Sequence, residues 1–114
     1  MHGIRYTYWM EIDFDINRRF GGVSRLYGAL GLQKLQAAHV CVIGIGGVGS
    51  WAAEALARNA VGHITLIDLD NIAESNVNRQ IHAMDGAFGL AKVSAMQIPL
   101  ASCIRLKILL VQII

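Results

Sequence analysis

Charge is scarce in this sequence of 114 residues: ten Lys and Arg stand against eight Asp and Glu, 16% in all, for a net charge of +2. So weak a bias carries no argument for nucleic-acid binding by charge alone, although Arg18, Arg19 and Arg25 lie close together in the chain. Cysteine is scarce too. Two residues, Cys41 and Cys103, cannot make a disulfide framework, and Cys41 sits in an apolar run where it reads as a small hydrophobe in a reducing compartment. His2, His39, His63 and His82 have no spacing that pairs them as metal ligands. Glycines, Glu54 and Lys107 interrupt every apolar stretch before it could span a bilayer, and Arg5, Glu11 and Asp13 spoil a signal-peptide core. A cytoplasmic location is the expectation. Internal repeats and low-complexity linkers are absent as well.

What is abundant is apolar. Hydrophobic residues make up 54%, enough for a packed core and too many for a disordered chain. Residues 1–16 are aromatic-rich without a period and are expected to be irregular. Gly21 and Gly22 punctuate a loop. A short helix is expected from Ala29 to Ala38, with Leu32 and Leu35 as its apolar edge, even though Gly31 costs it about 1 kcal/mol. His39 to Ile43 reads as a strand buried on both faces, being short, β-branched and ended by glycine. In the helix that follows, Val48, Trp51, Ala52, Ala55 and Leu56 share one face. Ser50, Glu54 and Arg58 lie opposite, the last two in the favourable i, i+4 order. Gly62 reads as the closing turn, and Ile64 to Ile67 as a second strand running into Asp68. The whole is a strand–helix–strand unit of about 30 residues. Leu90 to Gln97 has helical spacing, which Pro99 is expected to stop.

Between the first strand and its helix stand Gly44, Gly46 and Gly49 at the spacing G-x-G-x-x-G. The first permits a tight turn, the second lets backbone approach a phosphate, and the third allows close helix–sheet packing. The helix N-terminus adds free N–H groups and partial positive charge. Asp68 ends the next strand about 20 residues on, where ribose hydroxyls would lie. These features describe a nucleotide-binding Rossmann-like unit without naming the nucleotide; a nicotinamide dehydrogenase would show the same glycines and acid. The run Ser75-Asn76-Val77-Asn78-Arg79-Gln80 argues otherwise, since it concentrates amide and guanidinium donors past the carboxyl end of the strand. Arg79 suits bidentate phosphate contact, and Lys92 adds a point charge, unless both are simply solvated surface cations.

Gly44-Ile45-Gly46-Gly47-Val48-Gly49, then Asp68-x-Asp70, Ser75-Asn76-x-Asn78-Arg79-Gln80 and Gly89-x-Ala91-Lys92, resemble the adenylation domain of the ubiquitin-activating-enzyme-like superfamily (ThiF and MoeB type). Arg19-Phe20-Gly21-Gly22, Arg25-Leu26-Tyr27-Gly28, the stretch from Gly49 to Arg58, and Asn78-Arg79-Gln80-Ile81-His82-Ala83 resemble its tRNA threonylcarbamoyladenosine dehydratase branch. The likeness runs from about Asn17 to Met96. It implies a mostly parallel α/β sheet with helices on both faces, and attack of a carboxylate on the α-phosphate of ATP. In that branch the carboxylate belongs to a threonylcarbamoyl group on a tRNA adenosine, which then cyclises. Carried over, Gly44, Gly46, Gly47 and Gly49 would cradle the phosphates, and Asp68 with Asp70 would bind ribose. Asn78, Arg79 and Lys92 would orient and neutralise the triphosphate, Ser75 and Asn76 would also bind the nucleotide, and Arg25, with Arg19 as competitor, would reach into a partner's site in a homodimer. Mg2+ and tRNA are implied partners. A ubiquitin-like sulfur-carrier protein is the alternative substrate, and a non-catalytic nucleotide-binding fragment the alternative class.

After Met96 the resemblance fades. Pro99 is expected to interrupt the helix, the tail from 98 to 114 is apolar, and no acidic residue follows Asp85 to serve as the family's metal ligand. The expectation is an adenylation domain over 17–97 with an atypical tail, from a truncated or frameshifted product, and with an uncovered sheet edge.

Overall fold

β-branched and leucine-rich runs too short for helices pair into one sheet, and the segments between them supply helices. The computed structural model describes residues 2–8, 16–103 and 107–113, and the side chains of 16–97, 99–100 and 108–112. Along the chain come β1 (His2–Tyr8), α1 (Ile16–Ala37), β2 (His39–Ile43), α2 (Gly49–Arg58), β3 (His63–Asp68), a single 3-10 turn (Glu74–Asn76), α3 (Lys92–Cys103) and β4 (Lys107–Ile113). The sheet order is β1-β4-β3-β2. β2, β3 and β4 are parallel, in register from His39↔His63 and His63↔Lys107, and β1 runs antiparallel to β4. This is an α/β, Rossmann-like arrangement.

Period-2 alternation decides which side of the sheet is dry. Ile64 and Leu66 of β3 and Ile108 and Leu110 of β4 are buried in one cluster with Ala53 and Ala57 of α2 and Val93, Met96 and Leu100 of α3. The alternate residues Ile67, Leu109 and Val111 are only partly buried, and Cys41 and Ile43 are exposed. β2 is therefore not buried on both faces as its composition suggested. It is an edge strand, and Ile43 is 77% exposed. Strand composition reports apolar preference, but position in the sheet order sets burial.

Several other expectations change. His2–Tyr8 is a strand rather than an irregular segment. Gly21 and Gly22 are helical; the breaks in α1 fall instead at Phe20 and at Gly28, whose φ is 80°. The second half of α1, after Gly28, is the expected short helix, with Leu32 buried and Leu35 partly so. The residue of positive φ after α2 is Ala60 (φ 70°), not Gly62. Gly62 is needed for another reason: a Cβ there would stand 1.9 Å from the Gln36 carbonyl oxygen at the end of α1.

α2 presents its faces the other way round. It buries Ser50, Ala53, Glu54 and Ala57, while Val48 is 85% and Trp51 52% exposed. A Cβ on Gly49 would sit 1.7 Å from the Gly44 carbonyl oxygen, so the helix starts pressed against the strand end, and apart from Glu54 the side chains it buries are small. Closeness of approach outweighs the apolar stripe. Glu54 is kept company by Arg58, whose Nε donates to Oε1 at 2.7 Å in the expected i, i+4 pair.

Pro99 does not stop α3, which runs on to Cys103. Proline inside a helix costs about 3 kcal/mol. Val93, Met96 and Leu100 are buried on this helix, and each such side chain contributes roughly 1.5–3 kcal/mol. Core burial therefore wins, and the apolar tail returns as β4 beside β3.

Candidate nucleotide site

At the carboxyl ends of β2 and β3 the chain makes its glycine loop. Gly44, with φ 91°, turns the chain out of β2, in backbone space that side-chain-bearing residues rarely adopt. Its N–H still donates to Ile67 O at 2.8 Å, so the ladder with β3 holds to the last residue of the strand. The amides of Gly46, Gly47 and Val48 form no hydrogen bond among the described residues. α2 begins at Gly49 with no side-chain cap. These are the donors a helix start leaves unpaired, and they suit an anion.

Side chains from three other segments hold the loop. Asp68, at the end of β3, accepts the Ile45 N–H at 2.6 Å through Oδ2 and the Asp70 N–H at 2.7 Å through Oδ1. His82 Nε2 donates to Ile45 O at 2.8 Å. Ser50 bonds Gly46 O through both its N–H and its hydroxyl, and the same hydroxyl accepts the Ile81 N–H at 3.4 Å. Trp51 Nε1 donates to Arg79 O at 2.8 Å. The segment from Arg79 to His82 is thus fastened to the loop and to the first turn of α2.

Within that segment Arg79 is exposed, its aliphatic stem 3.6 Å from where a Gly47 Cβ would project. Its Nη1 donates to Ser75 O (3.1 Å) and to Asn78 Oδ1 (2.9 Å). Nε and Nη2 form no hydrogen bond among the described residues. Asn76 is buried and works on its own turn, its Oδ1 accepting the Ala73 N–H at 2.9 Å. Lys92 is no surface cation: it is 6% exposed, with Nζ 3.9 Å from Asp70 Oδ2. Backbone bonds Lys92 N to Asp70 O and Ile72 N to Leu90 O bring the start of α3 beside the end of β3. Gly44, Gly46, Gly47, Gly49, Asp68, Asp70, Ser75, Asn76, Asn78, Arg79 and Lys92 therefore converge on one end of the sheet. Arg25 does not join them: its guanidinium folds back to within 3.4 Å of the Cβ position of Gly21, and among the described residues no hydrogen bond or ion pair ties it to the loop.

Ser50, Trp51 and His82 were not among the residues expected to matter. They occur in the strings that carry the family likeness, but nothing in their types foretells a bond to backbone 28 to 37 residues away. Register also joins two histidines that spacing kept apart. The rings of His39 and His63 stack with centroids 3.6 Å apart and planes within 2°, and His39 Nε2 lies 2.6 Å from Thr65 Oγ1, at the opposite end of the sheet. Among the described residues no group of three His, Cys, Asp or Glu could hold a metal ion.

The ThiF family pattern matches residues 18–103, through Pro99 and beyond Met96. The chain belongs to the ThiF family. Against the tRNA threonylcarbamoyladenosine dehydratase of Escherichia coli (strain K12) it is 61% identical over 79 residues, 69% of this chain and 30% of that protein. Against the molybdopterin-synthase adenylyltransferase of Haemophilus influenzae it is 37% identical over 70 residues, 61% of this chain and 29% of that protein. The crystal structure of the E. coli dehydratase in complex with ATP superposes with a TM-score of 0.83 at 48% identity, over 89% of this chain and 42% of that one. This ThiF-family chain thus spans about 30% of the length of these curated relatives.

Proposed function

We propose that this chain is the ATP-binding front part of an enzyme that adenylates a carboxylate, most closely the cyclisation of threonylcarbamoyladenosine in tRNA. The observation that carries the reading is the row of unpaired amides at Gly46, Gly47 and Val48, with the free edge of Arg79 laid over Gly47. Residues 17–97 form the nucleotide-binding unit. The amides and Arg79 hold the phosphates, Lys92 adds charge where burial strengthens it, and Asp68 and Asp70 lie where ribose would sit. Ser75, Asn76 and Asn78 position Arg79. A carboxylate oxygen attacks the α-phosphorus, the bond to the pyrophosphate oxygen breaks, and the acyl-adenylate then loses AMP on ring closure. Such chemistry needs positioning and charge neutralisation, not a protein nucleophile. Mg2+ carried in with the triphosphate would screen its charge, and among the described residues no group of three His, Cys, Asp or Glu would hold it. In a homodimer Arg25, or Arg19, would serve the partner's site. No helix among the described residues is long and apolar enough to cross a membrane, and the cytoplasm is the proposed compartment.

The identity to the molybdopterin-synthase enzyme favours one second reading, activation of a ubiquitin-like sulfur carrier's C-terminal carboxylate. ATP–pyrophosphate exchange separates the two: stimulation by threonylcarbamoylated tRNA supports the first, and stimulation by a carrier protein the second. ATP binding without exchange under either condition identifies a nucleotide-binding fragment. Replacing Arg79 with Ala removes charge-assisted hydrogen bonds worth about 1.5–3 kcal/mol, so ATP affinity should fall roughly 10- to 100-fold by equilibrium titration. Unchanged affinity would remove Arg79 from the site.

A further inference from the structure

Two consecutive peptide groups of the glycine loop have their carbonyls tied and their amides free. The Ile45 carbonyl accepts from His82 Nε2 at 2.8 Å, and the Gly46 carbonyl accepts from Ser50. A peptide is planar and trans, so fixing its oxygen fixes the opposite direction of its N–H. The Ile45–Gly46 peptide carries the Gly46 amide, and the Gly46–Gly47 peptide carries the Gly47 amide. Ser50 is local, but His82 arrives from 37 residues downstream. Ile45 itself is fully buried, so its carbonyl has no water to fall back on.

The state of the His82 ring follows from its surroundings. A carbonyl only accepts, so the proton sits on Nε2, and the neutral ring keeps its lone pair on Nδ1. That Nδ1 is buried without a hydrogen-bond partner, and the residue is 2% exposed. The charges acting on it are Lys92 of α3, which opposes a cationic ring, and Asp68 of β3, which favours one; Ser50 on the α2 side carries no charge. Burial is the largest influence and lowers the pKa from its ordinary 6.5, against the bond to Ile45.

We infer that His82 is a positioning residue of the phosphate loop, whose neutral ring aims the Gly46 amide at the bound anion by holding the Ile45 carbonyl. It touches no substrate and acts through the loop; the inference rests on the nucleotide reading above. A cationic ring would place a second N–H, on Nδ1, where no acceptor stands among the described residues, and Lys92 opposes its charge. Because the folded-state pKa is lowered, the stabilisation is present above about pH 6.5 and is lost as the pH falls through the folded value.

The test uses the full chain with Trp9→Phe, so that Trp51, bonded to Arg79, is the fluorescent reporter. His82→Gln keeps an amide donor near the Nε2 position and cannot titrate; His82→Phe keeps ring bulk and has no donor. At about pH 7.5 the Gln variant should bind ATP within about threefold of wild type and the Phe variant about tenfold more weakly or worse. As the pH falls below about 6.5 and through the lowered folded value, wild type should lose affinity that the Gln variant keeps, a comparison that cancels titration of ATP itself. Phe binding like wild type, or Gln failing like Phe, overturns the inference, as does an equal pH dependence in wild type and Gln. If even wild type binds no ATP, the nucleotide reading fails on its own, and amide hydrogen exchange still decides His82. The Ile45 and Ser50 amides should then be about tenfold less protected in Phe than in Gln, and equal protection rules the role out.

Discussion

The two ends of the β2–β3 pair solve the same packing problem differently. At each end a glycine sits against a carbonyl oxygen, Gly49 against Gly44 and Gly62 against Gln36, with no room for a Cβ at either. At the amino end the turn satisfies its own backbone: Ala60, Val61, Gly62 and His63 all donate, to Ala57, Leu56, Leu35 and Ala38. At the carboxyl end the carbonyls of Ile45 and Gly46 are braced by side chains, while the amides of Gly46, Gly47 and Val48 have no partners among the described residues. A glycine-rich turn that only connects elements closes its hydrogen bonds. One that holds a ligand keeps donors open, and the rest of the structure must then fix them in place.

The sharpest way to break this comparison is to add a methyl group at each end. Gly49→Ala and Gly62→Ala should each destabilise by about 3 kcal/mol or more, because the obstructing atom is backbone and cannot rotate away. Urea midpoints measure this, and near-wild-type midpoints would mean that helix and strand do not approach as closely as described. A smaller effect separates conformation from clash. Gly44 and Gly28 both have positive φ with open space around the missing Cβ. Alanine at either should cost about 1–2 kcal/mol, but only Gly44→Ala should also weaken ATP binding in a titration. Equal nucleotide affinities in the two variants would detach the loop's shape from its proposed ligand. Smallest is Thr65→Val, which removes the hydroxyl beside His39. It should cost about 0.5–1.5 kcal/mol, the worth of one hydrogen bond, and leave ATP affinity unchanged. A nucleotide effect there would show that the two ends communicate.

Much of the site was legible in the chain because it depends on local geometry. Gly44, Gly46 and Gly49 are spaced by what a strand-to-helix turn requires, and Asp68 ends the strand that lies beside it. The fastening of Arg79 to Trp51 and of Ile45 to His82 was not legible, since indoles and imidazoles serve many purposes and only contact across 28 and 37 residues reveals these. The orientation of α2 misled for a related reason. Periodicity finds two faces, but which one turns inward depends on the gap to be filled, and here the gap admits Ser50, Ala53 and Ala57 but nothing the size of Trp51. Pro99 misled because a local penalty of about 3 kcal/mol is read directly from residue type, whereas the burial that offsets it depends on a sheet assembled from distant segments.

By itself, then, the sequence determined the strand–glycine loop–helix–strand unit, its lineage and the cluster of polar residues beyond Asp68, since each is encoded by neighbours within a few turns of chain. Only the tertiary structure decided that β2 is an edge, that the apolar tail is the third parallel strand, and that Lys92 is buried beside Asp70. It also decided that a buried imidazole grips the loop. These depend on which segments meet, and that is fixed by the free energy of the whole core rather than by the preference of any one stretch.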